Sequence, residues 1–190
     1  MDFSEKILGY ADRLTKQIEK IDVETVNRIL DLLIATRDAG KQLFIMGNGG
    51  SGASASHIVG DFNKGLSLGK ERAKRWRAIS LVDNSPTVLS LANDVDYADI
   101  FVEQLKNFLN EGDVVIALSG SGNSENVLRA VRYAKECGNT TIGMTAYSGG
   151  KLKAEADISV HFDIDDMQIA EDLHMMLLHL MFSVLYHSDI

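Results

Sequence analysis

Two glycine-rich turns carry backbone and side-chain groups suited to binding an anion. Each follows an apolar run and precedes a helical stretch: Gly47-Asn48-Gly49-Gly50-Ser51-Gly52 and Ser119-Gly120-Ser121-Gly122-Asn123-Ser124. The unpaired N–H groups and the dipole of a helix N-terminus favour an anion, and the second turn adds three serine hydroxyls. Because this turn lacks the lysine of a P-loop, it favours one phosphate group of a small molecule over a nucleoside triphosphate.

Both turns have alternative interpretations. The first satisfies the G-x-G-x-x-G pattern of dinucleotide-binding domains, which would indicate a nicotinamide-dependent oxidoreductase. That pattern requires an acidic residue about 20 positions later, whereas the first candidate, Asp83, comes about 30 residues after the last glycine. The spacing is therefore poor. In the second turn, the alternative is a flexible segment in which Asn123 or Ser124 only caps the following helix.

Histidine and carboxylate residues form two groups that could bind a metal or transfer protons. His57 and Asp61 are four residues apart on the helix after the first turn and therefore share a face. An otherwise apolar C-terminal helix contains four more candidates: Glu171, Asp172, His174 and His179. Asp172 and His179 are nearly in register, whereas Glu171 and His179 are offset by roughly 80°. Spacing alone therefore favours Asp172 as the partner of His179.

The remaining histidines and the cysteine carry no motif. We expect His161 and His187 at the surface or at an edge of the fold. Cys137 lies near the end of a helix with no histidine close in sequence, which predicts a buried small apolar residue rather than a nucleophile. A single cysteine excludes an intramolecular disulfide and fits a reducing compartment.

Composition limits the classes of partner. The 190 residues include 19 Lys+Arg and 27 Asp+Glu, and the formal charge of −8 argues against general attraction to nucleic acid or to an anionic membrane. No apolar run reaches the roughly 18 residues of a membrane span, and the N-terminal segment 1–5 lacks the basic start of a signal peptide. We therefore expect a cytoplasmic protein with one domain, residues 1–190.

The elements that position these residues begin with two helices within residues 1–40. Apolar residues in the first helix recur with 4,3,4,3 spacing, and a second apolar series continues to Gly40, which supplies a helix stop. The narrow stripe of the first helix is typical of docking against another helix, which a second subunit could provide. Packing on its own domain is the alternative. The members of the stripe are Ile7, Ala11, Leu14, Ile18 and Ile21.

After Gly40 the chain alternates short apolar runs with turns and helical stretches. Continuous apolar runs indicate strands buried on both faces, so the pattern predicts an α/β fold with a parallel sheet between helices. Ser85-Pro86 is predicted to open one helix, and Gly138 to close a helix that starts near Ser124. Ligands bind such sheets at the carboxyl ends of the strands. The predicted strands are Leu43–Met46, Ala78–Val82, Val114–Leu118, Thr141–Met144 and Ile158–Phe162.

Taken together, these motifs resemble the sugar isomerase (SIS) domain family, in its phosphoheptose isomerase branch. The resemblance covers essentially the whole chain, and the joint order of the motifs is specific. The second glycine turn, residues 119–124, which we call the hydroxyl turn, by itself identifies only a SIS domain. The segments that carry it are the two glycine turns, His57, Asp83-Asn84, Ala92-Asn93-Asp94, and Glu171-Asp172-Leu173-His174 followed by His179.

The resemblance implies a five-stranded parallel sheet of flavodoxin- or Rossmann-like topology, assembled as a homotetramer with active sites at subunit interfaces and with residues 1–40 contributing to the oligomer. It also implies a phosphorylated sugar as ligand. The residues implied to bind this ligand are Asn48, Gly49, Gly50, Ser51, Asp94, Ser119, Gly120, Ser121 and Ser124. The implied metal ligands are His57, Asp61, Glu171 and His179, with zinc as the expected ion.

Two of these four positions depart from the family, because Asp61 stands where the family has Glu and Glu171 where it has Gln. The family's Glu is also its proposed base, and Asp61 is one methylene shorter. The resemblance implies isomerisation of sedoheptulose 7-phosphate through an enediol without a redox cofactor, with Asp61 or Glu171 as base and His179 as acid. Two carboxylates and two histidines suit Zn²⁺, Mn²⁺ or Fe²⁺.

Two further alternatives remain at this stage. One is a non-catalytic SIS module, either a sugar-phosphate sensor or an adaptor that binds a replication initiator. Another is an isomerase for a different sugar phosphate. Basic residues after the His57 helix could add phosphate contacts, although a solvated basic stretch is the simpler interpretation. These residues are Lys64, Arg72, Arg75 and Arg77.

Overall fold

The computed structural model describes residues 1–188, which form a five-stranded parallel sheet with α-helices on both faces. The helices are α1 (Ser4–Ile18), α2 (Val23–Asp38), α3 (Gly49–Gly60), α4 (Ser85–Asp94), α5 (Val102–Phe108), α6 (Glu125–Glu136), α7 (Gly150–Glu155) and α8 (Met167–His187). The strands are β1 (Leu43–Gly47), β2 (Ala78–Ser80), β3 (Val114–Ser119), β4 (Thr140–Thr145) and β5 (Ile158–His161). Shorter turns of helix cover Asp61–Gly65, which is a π-helix, and the 3₁₀ segments Arg72–Lys74 and Tyr97–Asp99.

The strand order β2-β1-β3-β4-β5 places the reversal of the chain between β1 and β3. These two strands run parallel in register, from Leu43 beside Val114 to Gly47 beside Leu118. In an open sheet of this order, ligands bind outside the carboxyl ends of the two strands at the reversal. The two glycine turns follow these two strands, so the topology brings both turns together at the carboxyl ends of β1 and β3.

Successive strand residues pack into separate cores on the two faces of the sheet. Leu43 and Ile45 of β1 join the core formed with α2, α3 and α8, whereas Phe44 and Met46 join the core under α5, α6 and α7. All four residues are nearly inaccessible to solvent, as expected for a central parallel strand covered by helices on both sides. The prediction of an α/β fold with a doubly covered parallel sheet is confirmed.

Helix α1 packs on its own domain only in part. Leu14 and Tyr10 contact the core of the α8 face, while Ile7 is 66% exposed and Ile18 is 37% exposed. Polar contacts attach α1 to the region of α8: Tyr10 donates to Asp172 Oδ2, Arg13 donates to Asp166 at 2.8 Å, and Gln17 donates to the Asp163 carbonyl at 2.9 Å. The apolar stripe therefore remains largely uncovered within residues 1–188, and the tetramer stays a prediction.

Helix α8 begins directly after Asp166 and forms much of one core. The Asp166 side chain accepts from the N–H groups of Gln168 and Ile169, which caps the helix. By length and composition α8 is apolar enough to cross a membrane. Eight of its residues are buried against the sheet and its neighbouring helices, and the core helix of a soluble protein passes the same test.

The structure corrects several local predictions. Asn84, not Ser85, is the N-cap of α4, because its side chain accepts from Thr87 N at 3.3 Å. Strand β2 ends at Ser80, two residues earlier than expected. Cys137 follows α6 and is exposed rather than buried, since it lies past the last turn that packs on the sheet. Helices α5 and α7 had no clear periodic signal because each is at most seven residues long.

Other predictions are confirmed. Helix α6 starts directly after Ser124 and ends two residues before Gly138. Helix α2 ends at Asp38, just before Gly40. His161 lies on β5, an edge strand of the sheet, and His187 is exposed at the end of α8.

Candidate active site

The two glycine turns and the start of α8 enclose a cavity of about 270 Å³ at the carboxyl ends of β1 and β3. Eight of the nine residues predicted to bind the sugar phosphate line this cavity, together with Leu118, Met167 and Glu171. The exception is Asp94, which lies at the end of α4, is exposed, and accepts a hydrogen bond from the neighbouring Asn93 side chain at 2.6 Å. The lining residues predicted from sequence are Asn48, Gly49, Gly50, Ser51, Ser119, Gly120, Ser121 and Ser124.

The hydroxyl turn is a tightly hydrogen-bonded structure rather than a flexible segment. Gly122 N donates to the Ser119 carbonyl at 3.0 Å, and the Ser119 and Ser124 hydroxyls lie 3.4 Å apart. Gly122 has φ +64°, and a Cβ there would overlap the carbonyl of Gly149. This close approach explains the requirement for glycine.

The helix-capping alternative for this turn is wrong. Ser124 occupies the N-cap position of α6 but makes no side-chain cap hydrogen bond. The Asn123 side chain instead accepts from Lys151 N at 3.2 Å and donates to the Ser121 carbonyl at 3.1 Å, which joins the turn to the start of α7. The serine hydroxyls at the mouth of the cavity are therefore available to a ligand together with the N-terminus of α6.

The first glycine turn has an equally specific arrangement around Asn48. Asn48 is the N-cap of α3, yet its amide bonds to Asn126 and to the Tyr97 hydroxyl instead of capping the helix. Two residues later, Gly50 lies so close to the Glu171 carboxylate that a Cβ would overlap it. Asn126 and Tyr97 were missed by the sequence analysis, because their roles depend on contacts 78 and 49 residues away along the chain.

Two histidines and a carboxylate converge on a second point along α3 and α8. His57 Nε2 lies 2.9 Å from His179 Nε2 and 3.3 Å from Asp61 Oδ2, and His179 Nε2 lies 3.7 Å from the same carboxylate oxygen. Tetrahedral ligands at zinc–nitrogen distances are about 3.3 Å apart, which falls within this range. The donor set His57, Asp61 and His179 therefore fits a divalent metal ion.

The structure places Glu171 in the cavity and not in this donor set. Its carboxylate lies against Gly50, while the three converging donors are His57, Asp61 and His179. The ligand role of Glu171 stays a prediction. The preference for Asp172 from helical spacing is wrong, because α1 packs beside α8 and the Tyr10 hydroxyl donates to Asp172. That contact raises the pKa of Tyr10 to about 12.

His174 lies on the buried side of α8, away from the converging donors. It is 1% exposed, its ring centroid is 6.1 Å from that of Phe162, and neither ring nitrogen has a hydrogen-bond partner within residues 1–188. Burial disfavours the charged imidazolium and lowers the pKa of His174 to about 4. Burial likewise lowers the pKa of His161, which lies 3.1 Å from the Thr145 hydroxyl.

The basic residues Arg72, Arg75 and Arg77 lie near the amino ends of the strands, at the opposite end of the sheet from the cavity. Arg77 directly precedes β2 and donates to the Gly40 carbonyl at 2.6 Å, at the amino end of β1. Arg72 and Arg75 line a surface depression beside the same segment, and all three side chains are exposed. In the part of the chain that the structure describes, no hydrogen bond joins them to the two glycine turns, so the interpretation as a solvated stretch agrees with the structure.

Comparisons with known proteins identify relatives with this fold and these motifs. The family model described as SIS domain matches residues 8–146, which include both glycine turns. A probable phosphoheptose isomerase from Thermoplasma acidophilum is 36% identical over 84% of this chain and 86% of its own length. A phosphoheptose isomerase from Clostridium acetobutylicum is 36% identical over 83% of this chain and 79% of its own length.

A solved structure supports the same relationship. The phosphoheptose isomerase from Neisseria gonorrhoeae superposes with a TM-score of 0.86 at 25% identity, covering 97% of this chain and 98% of that chain. The resemblance inferred from the motifs is thereby confirmed.

Proposed function

Because the chain belongs to the SIS domain family, we propose that it is an isomerase that interconverts sedoheptulose 7-phosphate and D-glycero-D-manno-heptose 7-phosphate. Relatives named phosphoheptose isomerase cover more than four fifths of the chain and support this activity. The observation that carries the proposal is that the phosphate-binding cavity and the metal-binding donor set lie along the same pair of helices, α3 and α8. An elongated phosphorylated substrate can therefore contact both.

The phosphate group binds at the hydroxyl turn. Ser119, Ser121 and Ser124 supply hydroxyl donors, and the N-termini of α6 and α3 present unpaired N–H groups to the same cavity. The residues lining the cavity include no lysine or arginine, so hydrogen bonds and helix dipoles stabilise the phosphate within one chain. This arrangement favours a phosphate monoester over a triphosphate.

The spacing along the helices favours a long, open-chain sugar. Gly50 meets Glu171, and seven residues further along α3 His57 meets His179, eight residues further along α8. At 1.5 Å per residue these separations correspond to about 10–12 Å along the helix axes. A sugar phosphate held at the hydroxyl turn thus extends along α3 toward the converging donors, which a heptose does more completely than a triose.

We assign the proton transfer at carbon to Glu171 and the metal-ligand role to Asp61. Glu171 is the carboxylate that lines the cavity, whereas Asp61 faces His57 and His179. Glu171 removes the proton from the carbon next to the carbonyl and returns it to the former carbonyl carbon through an enediol, while the hydroxyl proton passes to the former carbonyl oxygen. His179 directs Nε2 toward the other donors, so ligation competes with its expected role as acid.

A donor set of two imidazoles and one carboxylate is typical of catalytic zinc, and we propose that His57, Asp61 and His179 would hold this ion. When bound, the ion would act as a Lewis acid toward substrate hydroxyl oxygens that reach the donor set. Further proposals concern assembly and location. The exposed apolar residues of α1 support a homotetramer, and the composition supports a cytoplasmic enzyme without direct contacts to nucleic acid or membranes.

The decisive experiment is incubation of zinc-loaded protein with sedoheptulose 7-phosphate in D₂O, followed by NMR. We expect aldose formation together with deuterium uptake at the carbon next to the carbonyl. Glu171→Gln should abolish deuterium exchange and keep bound zinc at full stoichiometry. Asp61→Asn should instead reduce the amount of bound zinc. Absence of both product and exchange, with the sugar phosphate still stabilising the fold, would overturn the enzymatic proposal in favour of a sensor or an adaptor.

A further inference from the structure

We infer that Asn126 and Tyr97 are positioning residues: they fix the side-chain amide of Asn48 so that one of its N–H groups faces the phosphate-binding cavity. This inference rests on the proposed function, because the cavity is the one assigned to the sugar phosphate. Neither residue lines the cavity, and both act through Asn48, which does.

The orientation of the Asn48 amide is determined by a chain of hydrogen bonds that starts at the backbone. Val127 N donates to Asn126 Oδ1 at 2.9 Å, so this oxygen must be the acceptor end of the Asn126 amide. Asn126 Nδ2 consequently donates to Asn48 Oδ1 at 2.8 Å, and Asn48 Nδ2 donates back to Asn126 Oδ1 at 3.0 Å. Because Asn126 is only 2% exposed, water does not substitute for these contacts without opening the fold.

Tyr97 adds a second donor to the same acceptor. Its hydroxyl donates to Asn48 Oδ1 at 2.9 Å from the short 3₁₀ segment that follows α4. Asn48 Oδ1 then accepts two hydrogen bonds, which fills both of its lone pairs. The reversed orientation of the Asn48 amide would place its NH₂ group opposite the Asn126 NH₂ group and its oxygen opposite the Asn126 oxygen, and is therefore excluded by Asn126.

One N–H of Asn48 remains after these contacts are assigned. An asparagine amide has two N–H donors, and the second has no partner within residues 1–188. Asn48 lies at the N-cap of α3 with extended backbone (φ −104°, ψ 153°), but its side chain makes no cap hydrogen bond, although asparagine usually caps helices in this position. The free N–H is thus available to an anionic ligand.

Removal of either positioning contact loosens the Asn48 amide, whose terminal torsion has broad, roughly two-fold preferences. In Tyr97→Phe the Asn126 pair still restrains the amide, but one of the two hydrogen bonds to Asn48 Oδ1 is lost. The carbonyl oxygen of the amide would then face the ligand part of the time and repel it. A hydrogen bond to a charged group that is lost or shared in this way reduces affinity about five- to tenfold. Because the contact is at the phosphate end, it is equal in the ground and transition states, so KM rises while kcat is maintained.

The test is a mutant cycle that combines Tyr97→Phe or Asn126→Leu with Asn48→Ala. Calorimetry with inorganic phosphate and with sedoheptulose 7-phosphate gives Kd, and turnover of the latter gives KM and kcat. We expect Tyr97→Phe to raise Kd and KM about five- to tenfold, to leave kcat within about twofold, and to have no further effect in the Asn48→Ala background. Tyr186→Phe, at an exposed tyrosine on α8, is the matched control and should change none of these values.

Two results would overturn the inference: unchanged Kd and KM in Tyr97→Phe, or an effect of Tyr97→Phe that persists undiminished in the Asn48→Ala background. The exposed Tyr97 allows this test to be decided even when Asn126→Leu fails to fold. Failure of the proposed function is recognised separately, because unaltered protein that binds phosphate without turnover still gives the Kd values of the cycle. Binding of neither probe by the unaltered protein refutes both.

Discussion

The buried imidazole of His174 makes the stability of this protein depend on pH in a calculable way. Its pKa falls from the ordinary value of 6.5 to about 4 because burial penalises the charged form. The unfolded chain therefore binds a proton below about pH 6.5 that the folded chain does not bind, and folding free energy is lost as the pH falls toward 4. A pKa difference of about 2.5 corresponds to about 3 kcal/mol, lost at about 1.4 kcal/mol per pH unit.

The perturbation that isolates this effect is His174→Leu, which removes the titrating imidazole and fills its site with an apolar side chain. Neither ring nitrogen has a hydrogen-bond partner within the described part of the chain, and the nearby Thr145 backbone only partly offsets the effect of burial, so the substitution should be neutral or stabilising at pH 7.5. Urea unfolding at fixed protein concentration, from pH 7.5 to 4.5, gives the free energies. The advantage of the variant should grow by about 2–3 kcal/mol over this range.

The matched control is His187→Gln, at an exposed histidine on the same helix, whose curve should stay parallel to that of the unaltered protein. A His174→Leu curve that also ran parallel, with a constant difference at every pH, would refute the reasoning. It would mean that His174 is protonated in the folded protein or that its environment is hydrated.

Three other perturbations probe the site. Gly50→Ala introduces a Cβ that overlaps the Glu171 carboxylate, so turnover should fall at least tenfold. The melting temperature should stay equal or rise, because alanine stabilises a helix relative to glycine. Unchanged turnover would contradict the assigned position of Glu171. Gly122→Ala combines φ +64° with overlap of the Gly149 carbonyl, so we expect destabilisation of about 2 kcal/mol or more and loss of phosphate binding, measured by urea unfolding and calorimetry. His57→Ala leaves two of three donors and should reduce bound zinc from one equivalent to a small fraction by elemental analysis, without loss of phosphate affinity; full zinc occupancy would refute the assignment.

The sequence was sufficient to predict the parallel sheet because its strands have continuous apolar runs. Residues such as Phe44 and Ile45 are buried on opposite faces of β1, so both must be apolar, and this leaves an unambiguous signal. The glycine turns were equally informative, since their position after β1 and β3 places them together once the strands are parallel. The pair His57 and Asp61 was predictable from helical spacing, and its Nε2 and Oδ2 atoms lie 3.3 Å apart.

The remaining features depend on contacts between distant segments. Asn126 and Tyr97 carry no local pattern, because their partner Asn48 is far along the chain and is reached only after β1, β3 and α6 have packed. The choice between Asp172 and Glu171 likewise depends on which helix covers each side of α8. Periodicity gives the angle of a residue around a helix, but not the neighbour that it meets there.

The packing of α3 against α8 gives a physical reason for the separation between the metal donors. A Cβ at Gly50 would overlap Glu171, and a Cβ at Gly65, in the π-helical turn after α3, would lie 2.7 Å from the Phe182 ring. Absence of side chains at both places lets the two segments approach closely. His57 and His179 lie between these contacts, with their Nε2 atoms 2.9 Å apart. The helix pair therefore brings the donors together through packing that requires no metal, and the same packing fixes their distance from the cavity.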